Sequence, residues 1–111
     1  MYTLYGIPNC DTVKKARTYL DKKKMAYEFV DFKKSPPTPE LIKRWSEAFG
    51  GMPVNQKGVT YKKFKTEFEA LSAAKQPKFL IENTSMIKRP ILEKNGKVLQ
   101  FGFDEEAWTK L

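Results

Sequence analysis

Histidine is absent from these 111 residues, and cysteine occurs once. The first absence excludes imidazole-based catalytic triads and histidine-ligated metals. The second excludes an internal disulfide and any cysteine-rich zinc site. Arginine is scarce as well: of 21 cations, 18 are lysines, leaving Arg17, Arg44 and Arg89. No apolar stretch approaches the roughly 20 residues of a membrane helix. The opening Met1-Tyr2-Thr3-Leu4-Tyr5 has no basic segment followed by a long apolar run. The expectation is a soluble cytoplasmic protein with no membrane partner, no metal and no bound cofactor.

What remains is a chain of +8 net charge and 41% hydrophobic residues. That hydrophobic fraction is enough for one folded domain over residues 1–111. The charge attracts anions, among them oxyanions, nucleic acid and acidic peptides such as glutathione. Lysine excess alone also describes an ordinary solvated surface. An arginine in such a chain is more informative, because its planar fork makes two-point contacts that a lysine point charge cannot.

The single thiol lies in Gly6-Ile7-Pro8-Asn9-Cys10-Asp11-Thr12-Val13-Lys14-Lys15-Ala16. Tyr2-Thr3-Leu4-Tyr5 reads as a strand before it. Val13, Ala16 and Leu20 recur at helical spacing after it. Gly6 and Pro8 break the chain between the two. Cys10 is therefore expected at the mouth of a helix running from Asp11 or Thr12 to about Lys24. Unpaired N–H groups there favour an anion, and a thiolate is one. The alternative reading is a small buried hydrophobe.

Tyr27–Phe32 reads as a second strand, parallel to the first across the helix. Thr38-Pro39 opens a helix that Gly50-Gly51 closes. The pattern weakens from Met52 to Tyr61. Thr66-x-x-Glu69 then matches a capping box, predicting a helix over Leu71 and Ala74. Gln76-Pro77 starts another short one. Ile91–Lys94, Asn95-Gly96 and Lys97–Phe101 form a hairpin signal. Asp104 caps a final helix through Trp108 to Leu111. Residues 36–85 thus read as a helical insert between two parts of an α/β, thioredoxin-like, mixed four-stranded sheet. In that fold a proline starting the third strand faces the thiol. Here it is Pro90, and the fold analogy favours a cis Arg89-Pro90 bond.

The residues Tyr5–Ala16 and Ile87-Lys88-Arg89-Pro90-Ile91-Leu92, with a weaker match at Asn55–Tyr61, resemble the arsenate reductase (ArsC)/Spx family and its small YffB-like branch. The resemblance covers essentially the whole chain. It implies a nucleophilic Cys10 with Arg89 as its anion partner. Substrate contacts are expected from Asn9, Asp11, Thr12, Lys14, Lys57, Lys88 and Pro90. The chain departs from the family in two places. Arsenate reductases of this type surround the oxyanion with three arginines, and only Arg89 has a counterpart here. Gln56 and Lys57 occupy the middle loop, and Gln100-Phe101-Gly102-Phe103 offers no arginine. Redox-sensing Spx proteins carry Cys-x-x-Cys, where this chain has Val13.

The implied chemistry is monothiol reduction. With no histidine, electrostatics must generate the thiolate. With no second cysteine, an external thiol must resolve any adduct. Glutathione is the expected co-substrate, acting with a small disulfide or oxyanion substrate. Arsenate reduction and a non-enzymatic, Spx-like regulator binding RNA polymerase are the alternatives. Nucleic-acid binding has the charge in its favour but no recognition motif.

Overall fold

The computed structural model describes all of residues 1–111. Its chain divides into two compact units: Met1–Ser35 with Arg89–Leu111, and Pro36–Lys88.

The first unit carries the sheet. Strand β1 (Tyr2–Gly6) leads through a turn into helix α1 (Asp11–Lys22), which returns the chain to β2 (Tyr27–Asp31). β1 and β2 pair in parallel, Tyr2 opposite Tyr27 through Gly6 opposite Asp31. Strands β3 (Ile91–Lys94) and β4 (Lys97–Phe101) complete a four-stranded sheet in the order β2-β1-β3-β4. β3 runs antiparallel to β1, with Leu92 opposite Leu4. This is the mixed thioredoxin-like sheet that the sequence implies. The hairpin turn is Asn95-Gly96, with φ of 53° and 81°. Two consecutive positive φ values make the tight turn whose twist matches the strands, and Asn and Gly tolerate them best.

One face of the sheet is covered by α1 and by a short final helix, α5 (Glu105–Trp108). Leu4, Ala16, Leu20, Leu92 and Trp108 form the core between them. Each buried leucine among them contributes about 1.5–3 kcal/mol. The Trp108 indole N–H donates to the carbonyl of Gly102 at 3.2 Å, so the ring is buried without an orphaned donor. Asp104 accepts from the amide of Glu106 and caps α5 as expected. The helix ends at Trp108 rather than Leu111, because Trp108 is its last buried anchor.

In the second unit, α2 (Pro39–Phe49) starts where Thr38 Oγ1 accepts from the amide of Leu41 at 3.2 Å. It ends on Gly50 in the left-handed conformation. Helix α3 corrects the sequence reading. It spans Val59–Glu69, so Thr66 lies inside it rather than capping it, and residues after Ala70 leave the helix. Its N-cap is Gly58, which offers no side-chain cap. What fixes the helix is the stripe Tyr61, Phe64 and Phe68. Tyr61 packs edge-on against Phe68, and Phe64 and Phe68 both meet Phe79 of α4 (Gln76–Glu82). Packing overrides the local capping signal here. A 3₁₀ turn, Thr84–Met86, leads to Ile87, which bridges Val54 in antiparallel fashion. No helix is long and apolar enough to cross a membrane.

The turn between β1 and α1 depends on Gly6. A Cβ placed there would lie 2.8 Å from Cγ2 of Val13, inside contact distance. Val13 is fully buried and cannot move away cheaply. Gly6→Ala should therefore cost about 1–3 kcal/mol, the usual range for overpacking. Urea unfolding monitored by circular dichroism checks this, and an unchanged midpoint would contradict it.

Candidate active site

Cys10 is the N-cap of α1, at φ −98° and ψ 125°. The helix begins at Asp11, within the expected start, and ends at Lys22 rather than Lys24. The chain turns just before it, with the Cys10 amide donating to the carbonyl of Ile7 at 3.2 Å. Its own carbonyl already accepts the first helical bond, from the amide of Lys14 at 2.9 Å. The side chain thus stands over the free amides of the first turn, where a capping oxygen usually sits. Sulfur does not close the short bond an oxygen cap would make. It is partly exposed, unlike a buried structural thiol.

Several effects compete at the sulfur. Partial burial raises the thiol pKa. The amide of Val13, the hydrogen bond and charge of Arg89, and the amide of Thr12 all lower it. The lowering wins, and the thiol titrates below its ordinary value of 9.0. The helix terminus and one guanidinium together outweigh desolvation. Arg89 reaches the thiol from the far end of the sequence because it precedes β3, the neighbour of β1. Its Nε is withdrawn from solvent. The Arg89-Pro90 peptide is cis. Pro90 is buried, and its carbonyl accepts from the amide of Gly102 at 2.7 Å.

Among the other residues singled out from the sequence, Thr12 is brought to the sulfur through its amide. Asn9 and Asp11 flank Cys10 and are exposed. Lys14 is exposed and lines, with Thr12, Lys15, Tyr19 and Phe103, a cleft of about 660 Å³ along α1. Lys57 and Lys88 belong to the helical unit. There they line a pocket of about 300 Å³ with Asn55 and Gln56. Two features of the first unit were not anticipated. Glu93 is 2% exposed, and its Oε1 accepts from the Tyr5 hydroxyl at 3.4 Å. Arg17 is set over the ring of Phe29, with Cζ 4.3 Å from the centroid. The scarcity of arginine was the available signal for the second.

Residues 5–111 match the family model described as the ArsC family. An uncharacterised protein from Haemophilus influenzae is 32% identical over 97% of this chain and 96% of its own. The global transcriptional regulator Spx from Streptococcus agalactiae is 29% identical over 96% of this chain and 79% of its own. Among solved structures, the YFFB protein is 39% identical with a TM-score of 0.85, covering 99% of this chain and 97% of its own. A possible arsenate reductase from Streptococcus mutans is 33% identical with a TM-score of 0.78, covering 98% of both chains.

The electrostatics at Cys10 fix a pH dependence. A folded-state pKa below 9.0 means the thiolate persists to lower pH than in the unfolded chain. The stabilisation it brings is present above 9.0 and is lost as pH falls through the folded value. The rate of alkylation by iodoacetamide, followed against pH, should inflect below 9.0. In Arg89→Gln the inflection should move upward. A wild-type inflection at or above 9.0 would contradict the thiolate assignment.

Proposed function

This chain belongs to the ArsC family, and on that footing we propose that it is a cytoplasmic monothiol reductase that uses glutathione, with Cys10 as nucleophile. The observation that carries the reading is the placement of a partly exposed Cys10 at the N-terminus of α1 beside Arg89, where its pKa is lowered. A thiolate formed without a base is ready to attack sulfur.

The reaction balances in two displacements. The Cys10 thiolate attacks a disulfide RS–SR′. A Cys10–SR bond forms, the S–S bond breaks, and R′S⁻ leaves with the electron pair. The chain holds no second thiol to resolve the adduct. The thiolate of glutathione attacks the Cys10–SR bond, restores the Cys10 thiolate and departs as the mixed disulfide GS–SR. Arg89 is the anion partner in both steps. It stabilises Cys10 as attacking and as leaving thiolate. The exposed Asn9, Asp11 and Lys14, with Thr12 and Pro90, are the residues of the same unit that would contact the substrate.

Arsenate is a weaker substrate on this reading. Arg89 is the one arginine available to grip the oxyanion by the family pattern, while Gln56 and Lys57 occupy the middle loop. A lysine supplies charge without the two-point contact. A regulator that binds a partner is the second reading, favoured by the similarity to Spx over 96% of the chain. Val13 stands where the second cysteine of Cys-x-x-Cys would be and is fully buried, so a disulfide switch has no place in it.

Mass spectrometry after incubation with glutathione disulfide should find one glutathione on Cys10 and none on Cys10→Ser. A coupled assay should detect arsenate reduction weaker by roughly one to three orders of magnitude than a site with three arginines would give. Efficient arsenate turnover with no glutathione adduct would reverse the order of the two activities. No turnover of any disulfide would favour the regulator.

A further inference from the structure

Arg17 is an arginine that activation of the thiol does not use. It lies seven residues after Cys10 on α1, two turns along the same side of the helix. Besides stacking on Phe29, it donates from Nε to the hydroxyl of Tyr27 at 3.3 Å. Both contacts are with rings of β2 rather than with a carboxylate. They fix the guanidinium plane and leave the terminal nitrogens of the fork unspent by them.

Side chains alternate along a strand, so Tyr27, Phe29 and Asp31 share one face of β2. Asp31 is the next position beyond the ring on which Arg17 lies. Its Oδ1 accepts from the amide of Lys33 at 2.9 Å, which orients the carboxylate. Asp31 pairs in register with Gly6, and the amide of Phe32 donates to the Gly6 carbonyl at 2.9 Å. The carboxylate therefore stands at the strand end from which the Cys10 turn departs. A cleft of about 390 Å³ opens there. Pro8, Arg17, Phe29, Asp31 and Lys34 line it, with Glu28 contributing from the edge.

The cations Arg17 and Lys34 set against the Asp31 carboxylate suit neither a simple oxyanion nor a simple amine. They suit a group that carries ammonium and carboxylate together. We infer that this cleft recognises a free α-amino-acid head group, and that glutathione places its γ-glutamyl end there, carboxylate toward the Arg17 fork and ammonium toward Asp31. The inference rests on the glutathione reading above and names how that thiol is told from others. Two helical turns rise about 10 Å. An extended γ-glutamyl-cysteine unit, counted at about 3.5 Å per residue plus its side-chain linkage, spans a similar distance.

The test compares three disulfides: glutathione disulfide, the disulfide of glutaryl-cysteinyl-glycine, which lacks only the ammonium, and bis(2-hydroxyethyl) disulfide, which lacks the head group. Rates of adduct formation at Cys10 are read by mass spectrometry. The wild type should prefer glutathione disulfide to its des-amino analogue by about tenfold, the worth of one charge-assisted hydrogen bond. Asp31→Asn should abolish that preference. Arg17→Gln should slow both carboxylate-bearing disulfides by about tenfold or more. Neither variant should change the rate with bis(2-hydroxyethyl) disulfide. Equal slowing with all three would make Arg17 a structural prop and overturn the inference, as would unchanged glutathione rates in both variants. A wild type that reacts with bis(2-hydroxyethyl) disulfide but never with glutathione disulfide would instead overturn the glutathione reading itself. That result appears before any variant is made.

Discussion

The chemistry of this chain rests on one competition at one atom. Drawing the Cys10 sulfur partly out of water favours the neutral thiol, and the amides of Val13 and Thr12 with the Arg89 side chain favour the thiolate. The amides are available because the helix begins at Cys10, and the helix begins there because the chain turns sharply after β1. That turn in turn requires a residue without a side chain at Gly6, pressed against Val13. A packing constraint in the core therefore sets the acidity of a surface thiol. A base such as histidine would respond to pH near neutrality. Fixed dipoles and a guanidinium do not, so the activation is built into the backbone.

Arginine and lysine divide the work. Eighteen lysines give the surface its positive field, which draws anions without orienting them. Two of the three arginines belong to the sheet-bearing unit and are held in place, Arg89 toward the thiol and Arg17 on the rings of β2. A planar fork specifies direction as well as charge. Attraction is general in this protein, and orientation is assigned to a few positions.

The elements legible in the sequence were those whose signals are local. The βαβ unit, the Thr38-Pro39 helix start and the Asn95-Gly96 turn each carry their cause within a few residues. α3 was misplaced because Thr66 and Glu69 imitate a capping box, while the true start at Gly58 has no side-chain cap. Its aromatic stripe is interleaved with Lys62, Lys63 and Lys65, which blurs the period. The start of α1 at Asp11 was legible because Gly6 and Pro8 break the chain just before it, whereas its end at Lys22 falls short of the expected Lys24. At the site, Cys10 could be read from its own neighbours, but its meeting with Arg89 is a long-range event. Only resemblance to a family brought the two together before the structure did. Arg17 stood out as a rare residue, yet its partners Tyr27 and Phe29 lie on another element and leave no local trace.

The strand order has a temporal consequence. β1, which carries the thiol at its end, is flanked by β2 on one side and by β3 on the other. The first neighbour emerges early from the ribosome, and the second only when most of the chain has been made. Chains are synthesised at about 5–20 residues per second. Through that interval the nascent β1 has one open edge, and Cys10 lacks the guanidinium that follows in the last quarter of the sequence. The growing polypeptide carries a thiol that has, at most, the amides of its own helix to favour the anion. The guanidinium's share of the activation arrives only when the sheet closes, so the last strands to be made complete the site.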